Sequence, residues 1–327
     1  MLSNLIFSLN HTLPLFALMV LGYLLHRKNF MGDSFVADAN KLVFHVALPV
    51  LLFMDLAQTD IRASFDAAYV GYCAAATLSS ILVIWGLARL LLRDKTQIGE
   101  FVQGSYRSSA AILGVAFVQL IYGDAGMSGL MILGCVPLYN IFAVLILVME
   151  NPARYGRGTA QKEVAEQSLS AMLRQTLVKI VTNPIILGLA AGFFWGFFRI
   201  PVPEAAGDAL TMIGNITTPL ALLAIGAGFK GKEALSEGRL TAAATAIKLM
   251  VLPAVFLPLA AALGFTGEKL VGILVMLGSI TTPASYVMAR QMGHKGTLTG
   301  SICVATTLFS PLSLTFWLFL ADALHWL

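Results

Sequence analysis

The polar positions of this chain are few and bunched, and between them run apolar stretches of about 20 residues. A helix of that length crosses a hydrocarbon core of about 30 Å. The pattern predicts ten spans, roughly 4–25, 38–57, 67–91, 104–122, 127–149, 178–198, 205–229, 240–263, 269–292 and 299–320. Five precede the one long polar segment, at about 150–176, and five follow it. The chain therefore divides into a first five-helix unit over 1–150, a cytoplasmic linker over 151–176 and a second unit over 177–327. Within the linker, Glu163 to Lys179 has the composition of an amphipathic helix lying on the membrane surface.

The two units share their punctuation. A shift of 170 residues lays Pro14 on Pro184, Gly22 on Gly192, Pro49 on Pro219, Gly123 on Gly293 and Gly126 on Gly296. The same shift lays His45 on Asn215, each four residues before its proline. An odd number of spans per unit turns the second upside down relative to the first. Duplicated membrane units with backbone-breaking residues at matched positions are the architecture of secondary transporters.

Composition agrees with the spans. The chain is 58% hydrophobic and 12% charged, against about 25% charged in soluble domains. Its N-terminus lacks a basic segment and a small-residue cleavage site, so the first apolar stretch reads as a span. The net charge of +4 implies no nucleic-acid partner, because the cations sit in short flanks. Arg27 and Lys28 follow span 1, Arg89, Arg93 and Lys95 follow span 3, and Arg154, Arg157, Lys162 and Arg174 fill the linker. Lys230, Lys232 and Arg239 follow span 7, and Arg290 and Lys295 close span 9. The alternate loops hold little beyond Arg62, Arg199 and Lys269. The positive-inside rule then makes the odd loops cytoplasmic and puts both termini outside. Cys73, Cys135 and Cys303 lie within apolar stretches without metal-ligand spacing and read as packed small residues.

Irregular backbone survives at membrane depth only where it is buried in protein or lines a wet cavity. Spans 4 and 9 are the candidates. Span 9 carries Ser279, Thr281, Thr282, Pro283 and Ser285 in mid-span, and span 4 carries Ser108, Ser109 and then Gly114 at the matching depth, without a proline. Two broken helices crossing there would aim half-helix N-termini at one point, where anions are favoured; tight small-residue packing around a kink is the alternative. In spans 2 and 7, Pro49 and Pro219 with His45 and Asn215 one turn earlier suggest a cavity lining. Asn140, beside Tyr139 in span 5, lines the site or bonds a neighbouring helix. Lys248 lies about eight residues into span 8, roughly 12 Å deep. It either supplies charge to the pathway or caps carbonyls freed by a broken helix. Arg107 begins span 4 and either joins the site or snorkels to the cytoplasmic face. No Asp or Glu sits near the middle of any span. Fixed cations, helix ends and hydroxyls without a central carboxylate suit an anionic solute. The proton-relay carboxylate is missing too, which leaves His45 or the substrate itself to carry a proton. No nucleophile elbow, H-E-x-x-H or phosphate loop is present, so the sequence predicts no enzyme and no cofactor.

At these residues the chain resembles the auxin efflux carrier family, in its bacterial branch of malonate- and malate-type permeases. The matching stretches are Asn40 to Pro49, Pro137 to Asn140, Asn183-Pro184, Pro219 to Gly226, Lys248 with Pro253, and Thr282 to Ala284. The resemblance implies an all-α fold of ten transmembrane helices in two inverted five-helix repeats, with broken helices crossing in spans 4 and 9. That architecture is like those of sodium/proton antiporters and bile-acid symporters. It also implies transport of a small mono- or dicarboxylate by an elevator-type movement across a bacterial inner membrane. Spans 3, 4, 5, 8, 9 and 10 would move, while spans 1, 2, 6 and 7 would form the scaffold and a homodimer face. The chain departs from the family at Ser108-Ser109-Ala110, where the family often has Asn, and it lacks the long cytoplasmic domain of the plant branch. A proton is the expected coupling ion. A sodium-coupled bile-acid-type symporter, with ligands from freed carbonyls and Ser279, Thr281 or Asn140, is the second reading, and a membrane sensor that binds the anion without moving it is the third.

Overall fold

The computed structural model describes residues 2–58, 66–110, 118, 121–122, 128–155, 178, 181–229 and 237–327, and of residues 2–12 and 128–129 the backbone alone. Nearly all of the predicted linker helix, Gly114, Gly123, Gly126 and most of the second half of span 4 lie outside these residues. Within them every long element is a helix, as an apolar chain requires when lipid offers its backbone no hydrogen bonds.

In chain order the helices are α1 (Leu2–Arg27), α2 (Asp33–Ala57), α3 (Ala67–Leu91), α4 (Ile98–Tyr106) and α5 (Ser128–Met149). Then come α6 (Pro184–Phe197), α7 (Glu204–Ala227), α8 (Gly238–Ala262), α9a (Glu268–Gly278), α9b (Ala284–Gln291) and α10 (Thr297–Ala323). Among the described residues six of these are long and apolar enough to cross a membrane: α2, α3, α5, α7, α8 and α10. Two further apolar stretches, Leu13–Arg27 and Pro184–Phe197, are shorter, and the elements at spans 4 and 9 are interrupted.

Three helices change their winding just before a proline. The turn widens over Val43–Ala47 before Pro49, stops at Ile216 before Pro219, and widens over Ile247–Val251 before Pro253. Proline offers no N–H to the carbonyl four residues back and crowds it, so the backbone bulges there. In α8 the freed Leu249 carbonyl is taken by Ser313 Oγ at 3.0 Å and Trp317 Nε1 at 2.9 Å. The irregular turns of α2 and α7 fall in the 170-residue register of the sequence.

The packing follows the same register. α1 lies along α7, and α6 lies along α2. A β carbon on Gly22 would sit 2.2 Å from the carbonyl oxygen of Leu223, and one on Gly192 would sit 2.6 Å from that of Phe53. Glycine is required at both places because backbone, not a side chain, fills the space. Both members of one contact lie 170 residues from their counterparts in the other, so the two contacts exchange under the shift.

Span 4 starts earlier than its hydropathy suggests, at Ile98 instead of 104. Glu100 and Gln103 hide the first turns from an apolar window, yet both are buried. Glu100 is satisfied there: its carboxylate accepts from the backbone N–H groups of Gly296 and Thr299, at 2.9 and 3.0 Å, and caps α10. Beside it, His294 donates from Nε2 to the Leu147 carbonyl at 3.0 Å, and burial pushes its imidazole below the ordinary histidine range. Glu150 gathers Arg89, Trp85 and Tyr155. These bonds tie together the ends of α3, α4, α5 and α10.

Candidate functional site

α4 ends at Tyr106, and Arg107 continues in extended backbone, φ −71° and ψ 126°. α9a ends at Gly278, Ser279 is extended at φ −82° and ψ 177°, and helix resumes only at Ala284. Pro283 explains the second interruption, since it cannot donate to the Ser279 carbonyl. No proline explains the first, which is held from outside. The Ser109 N–H donates to the Ile280 carbonyl at 3.0 Å, so one break bonds the backbone of the other. Thr281 Oγ1 donates to the Gly104 carbonyl at 2.8 Å, and Gln103 Nε2 donates to the Ser285 carbonyl at 3.0 Å. Among the described residues these bonds join the break after Tyr106 to the break after Gly278.

Lys248 lies fully buried behind this junction. Its ammonium donates to the Tyr106 carbonyl at 3.1 Å, to the Leu277 carbonyl at 3.1 Å and to Ser108 Oγ at 2.5 Å. Tyr106 and Leu277 are the final turns of α4 and α9a, where helix dipoles leave partial negative charge. All three N–H donors are used. Of the two readings open for Lys248, the geometry is that of the lysine capping freed carbonyls.

Arg107 is also buried, at 3% exposure, which excludes snorkelling to the membrane surface. The early start of α4 is the reason: Arg107 ends the first half of span 4 instead of opening it. Its Nη2 donates to Asn140 Oδ1 at 2.9 Å, and Nη1 lies 2.8 Å from Met288 Sδ, a weak acceptor. Nε has no partner, and no carboxylate pairs with the guanidinium among the described residues. Asn140 is thereby fixed, with its Nδ2 donating to the Val136 carbonyl at 2.9 Å.

The hydroxyls differ in what they can still bind. Ser108 serves Lys248 and Thr281 serves Gly104. The Ser279 and Ser285 hydroxyls are buried with no partner among the described residues. Thr282 is half-buried, next to Pro283. His45 and Asn215 are on exposed helix surface, His45 donating from Nδ1 to the Lys41 carbonyl at 3.0 Å, and Pro219 is exposed as well. None of the three, nor the half-buried Pro49, lines the cavities described here.

One cavity of about 780 Å³ approaches the junction from the end rich in cations. Arg27, Arg290, Lys295, Tyr286 and Asn40 line it, and the buried Asn40 Oδ1 has no partner among the described residues. Tyr286 and Arg290 are one turn apart on one face of α9b, while Met288, facing Arg107, is on the other. The half-helix α9b therefore stands between the cavity and the buried guanidinium.

The junction thus holds a buried guanidinium where two interrupted helices meet, with α9b between it and the cationic cavity. Residues 7–318 match the membrane transport protein family, that of the auxin efflux carriers. The chain belongs to this family. The Escherichia coli (strain K12) protein named "Uncharacterized transporter YfdV" is 22% identical over 310 residues, which span 92% of this chain and 93% of that one. A Rhizobium meliloti (strain 1021) protein named "Putative malonate transporter" is 24% identical over 315 residues, 94% of each chain. The protein is an integral membrane transporter and not an enzyme.

For this transporter the sequence marks both buried cations and both serine clusters. It does not mark the cavity cations, because Arg27, Arg290 and Lys295 carry the same signature as any orienting flank. Nor does it mark the part played by Gly104, Tyr106 and Leu277, which act through backbone carbonyls that any residue possesses.

Proposed function

We infer that this protein is a secondary transporter of a small organic anion, a mono- or dicarboxylate of the malonate or malate kind. The observation that carries the reading is Arg107. A guanidinium has five donors in a fork that matches a carboxylate, and here a buried one meets, among the described residues, a single good acceptor, Asn140. A buried charge without a counter-ion is costly, and a carboxylate substrate supplies the counter-ion. Ser279, Thr282 and the start of α9b at Pro283 lie on the junction beside it. The name of the Rhizobium relative supports the substrate class.

The exchange of the Gly22 and Gly192 contacts supports ten spans in two inverted repeats, over 1–150 and 177–327. In this reading α1, α2, α6 and α7 form a scaffold and homodimer face, and the remaining helices move past it as an elevator. The bonds among α3, α4, α5 and α10 support a unit that moves as one. The cationic cavity is the cytoplasmic vestibule of a bacterial inner-membrane protein, with both termini outside.

Sodium coupling is the less favoured reading because several of its candidate ligands already serve the protein. The Tyr106 and Leu277 carbonyls accept from Lys248, Asn140 Oδ1 accepts from Arg107, and Thr281 donates to Gly104. A proton moving with the substrate is the coupling ion of this reading.

Uptake of malonate and malate into proteoliposomes, in sodium and in potassium buffer, tests this reading. Equal uptake in both is expected, rising when the source side is acidified; uptake that requires sodium contradicts it. In the double variant Arg290→Gln, Lys295→Gln, the rate at sub-saturating substrate should fall about threefold to tenfold with the maximal rate kept, as for lost electrostatic steering. An unchanged rate would take the cavity out of the path.

A further inference from the structure

A second groove has no part in this pathway. It runs between α3 and α8 on the bundle's outer surface, about 790 Å³ in volume. Its walls are apolar: Val83, Leu87 and Leu91 from α3 face Ala243, Val251 and Val255 from α8. Val83, Leu87, Val251 and Val255 are each about half exposed, as side chains open to lipid are. The two serines in the groove are closed off, Ser79 and Ser80 each donating to a carbonyl of their own helix at 2.6 Å.

One end of the groove is different. Arg93, just after α3, and Arg239, in the first turn of α8, both line it there. Both are exposed, and neither pairs with a carboxylate among the described residues. The neighbouring acids are engaged elsewhere: Asp94 accepts from Thr96, and Glu237 accepts from Gln97. From Arg93 to Ser79 the wall extends about 21 Å at 1.5 Å per residue, enough for the roughly 15 Å of one leaflet's hydrocarbon. Two arginines with no carboxylate partner among the described residues thus stand at one end of a channel the length of an acyl chain.

The geometry points to an anionic phospholipid in this groove, its phosphate between Arg93 and Arg239 and its acyl chain between α3 and α8. The inference rests on the membrane placement proposed above and not on which solute is carried. A second copy or a partner helix would also bury apolar surface, but it would leave the two arginines without a counter-charge. The site has a functional position. Ile247 and Val251, which line it, bracket the widened turn whose inner face presents Lys248 to the junction. A lipid tail there packs against the back of the turn that caps α4 and α9a.

Native mass spectrometry of the purified full chain, with phosphatidylglycerol and phosphatidylcholine of equal tail length, tests the site. Wild-type protein should retain phosphatidylglycerol at least about tenfold better, as two surface arginines allow. Arg93→Gln with Arg239→Gln should abolish the preference while both lipids still bind. Ala243→Phe, which fills the channel, should weaken retention of both. Equal retention by wild type, or a preference that survives in the double variant, overturns the assignment. So does glycerol phosphate raising the melting temperature as much as the intact lipid, which would mean a free-anion site. A dimer that dissociates as lipid is added would assign the groove to a second copy instead.

Discussion

Arg107→Gln is expected to lower anion transport about 100-fold at sub-saturating substrate, the loss of one buried charge-assisted contact worth roughly 2.7 kcal/mol. The same change should leave the melting temperature unchanged or raise it. Among the described residues Arg107 is buried with one good acceptor and no counter-ion, an arrangement in which its charge opposes folding of the empty protein. Glutamine can still donate to Asn140, so that bond does not confound the result. Arg107→Lys keeps the charge but not the fork, and should fall between the two. Loss of transport together with a large loss of stability would make Arg107 structural and remove the anion site from the junction.

Lys248→Met should have the opposite signature. Three buried acceptors, the carbonyls of Tyr106 and Leu277 and the Ser108 hydroxyl, lose their donor together. Orphaned buried groups cost about 1–3 kcal/mol each, and two helix C-termini would face each other without the cation between them. The variant should insert but melt well below wild type, with transport reduced at least about tenfold, equivalent to ~1.4 kcal/mol. Lys248→Arg keeps the charge and should retain more activity than methionine; equal loss in both would point to shape alone. A methionine variant with wild-type melting and transport would leave the junction without its cap and contradict the account of how the fourth span is broken.

Much of this was legible before any coordinates. The prolines mark where helices change winding because the lost N–H is a local, sequence-encoded defect, as at Pro49, Pro219 and Pro283. Lys248 stands out because an apolar span does not carry charge idly. What was not legible is what other segments impose. Arg107 reads as the start of a span because Glu100 and Gln103 look too polar for one, and only the bonds from Gly296 and Thr299 make their burial tolerable. The break after Tyr106 has no proline because distant partners, Lys248 and Ile280, satisfy its backbone. Carbonyl acceptors leave no mark in residue type, so the capping role of Lys248 could be named in advance but its partners could not.

Counterflow tests the central claim, that a carboxylate anion is carried past Arg107, most directly. Proteoliposomes loaded with unlabelled malonate and diluted into labelled malonate should show a transient internal accumulation above the outside concentration. The account predicts this overshoot without sodium for the wild type and its loss in Arg107→Gln. Labelled malonate that binds the wild-type protein without overshoot would make the molecule a sensor, and an overshoot that survives in Arg107→Gln would place the anion elsewhere in the bundle.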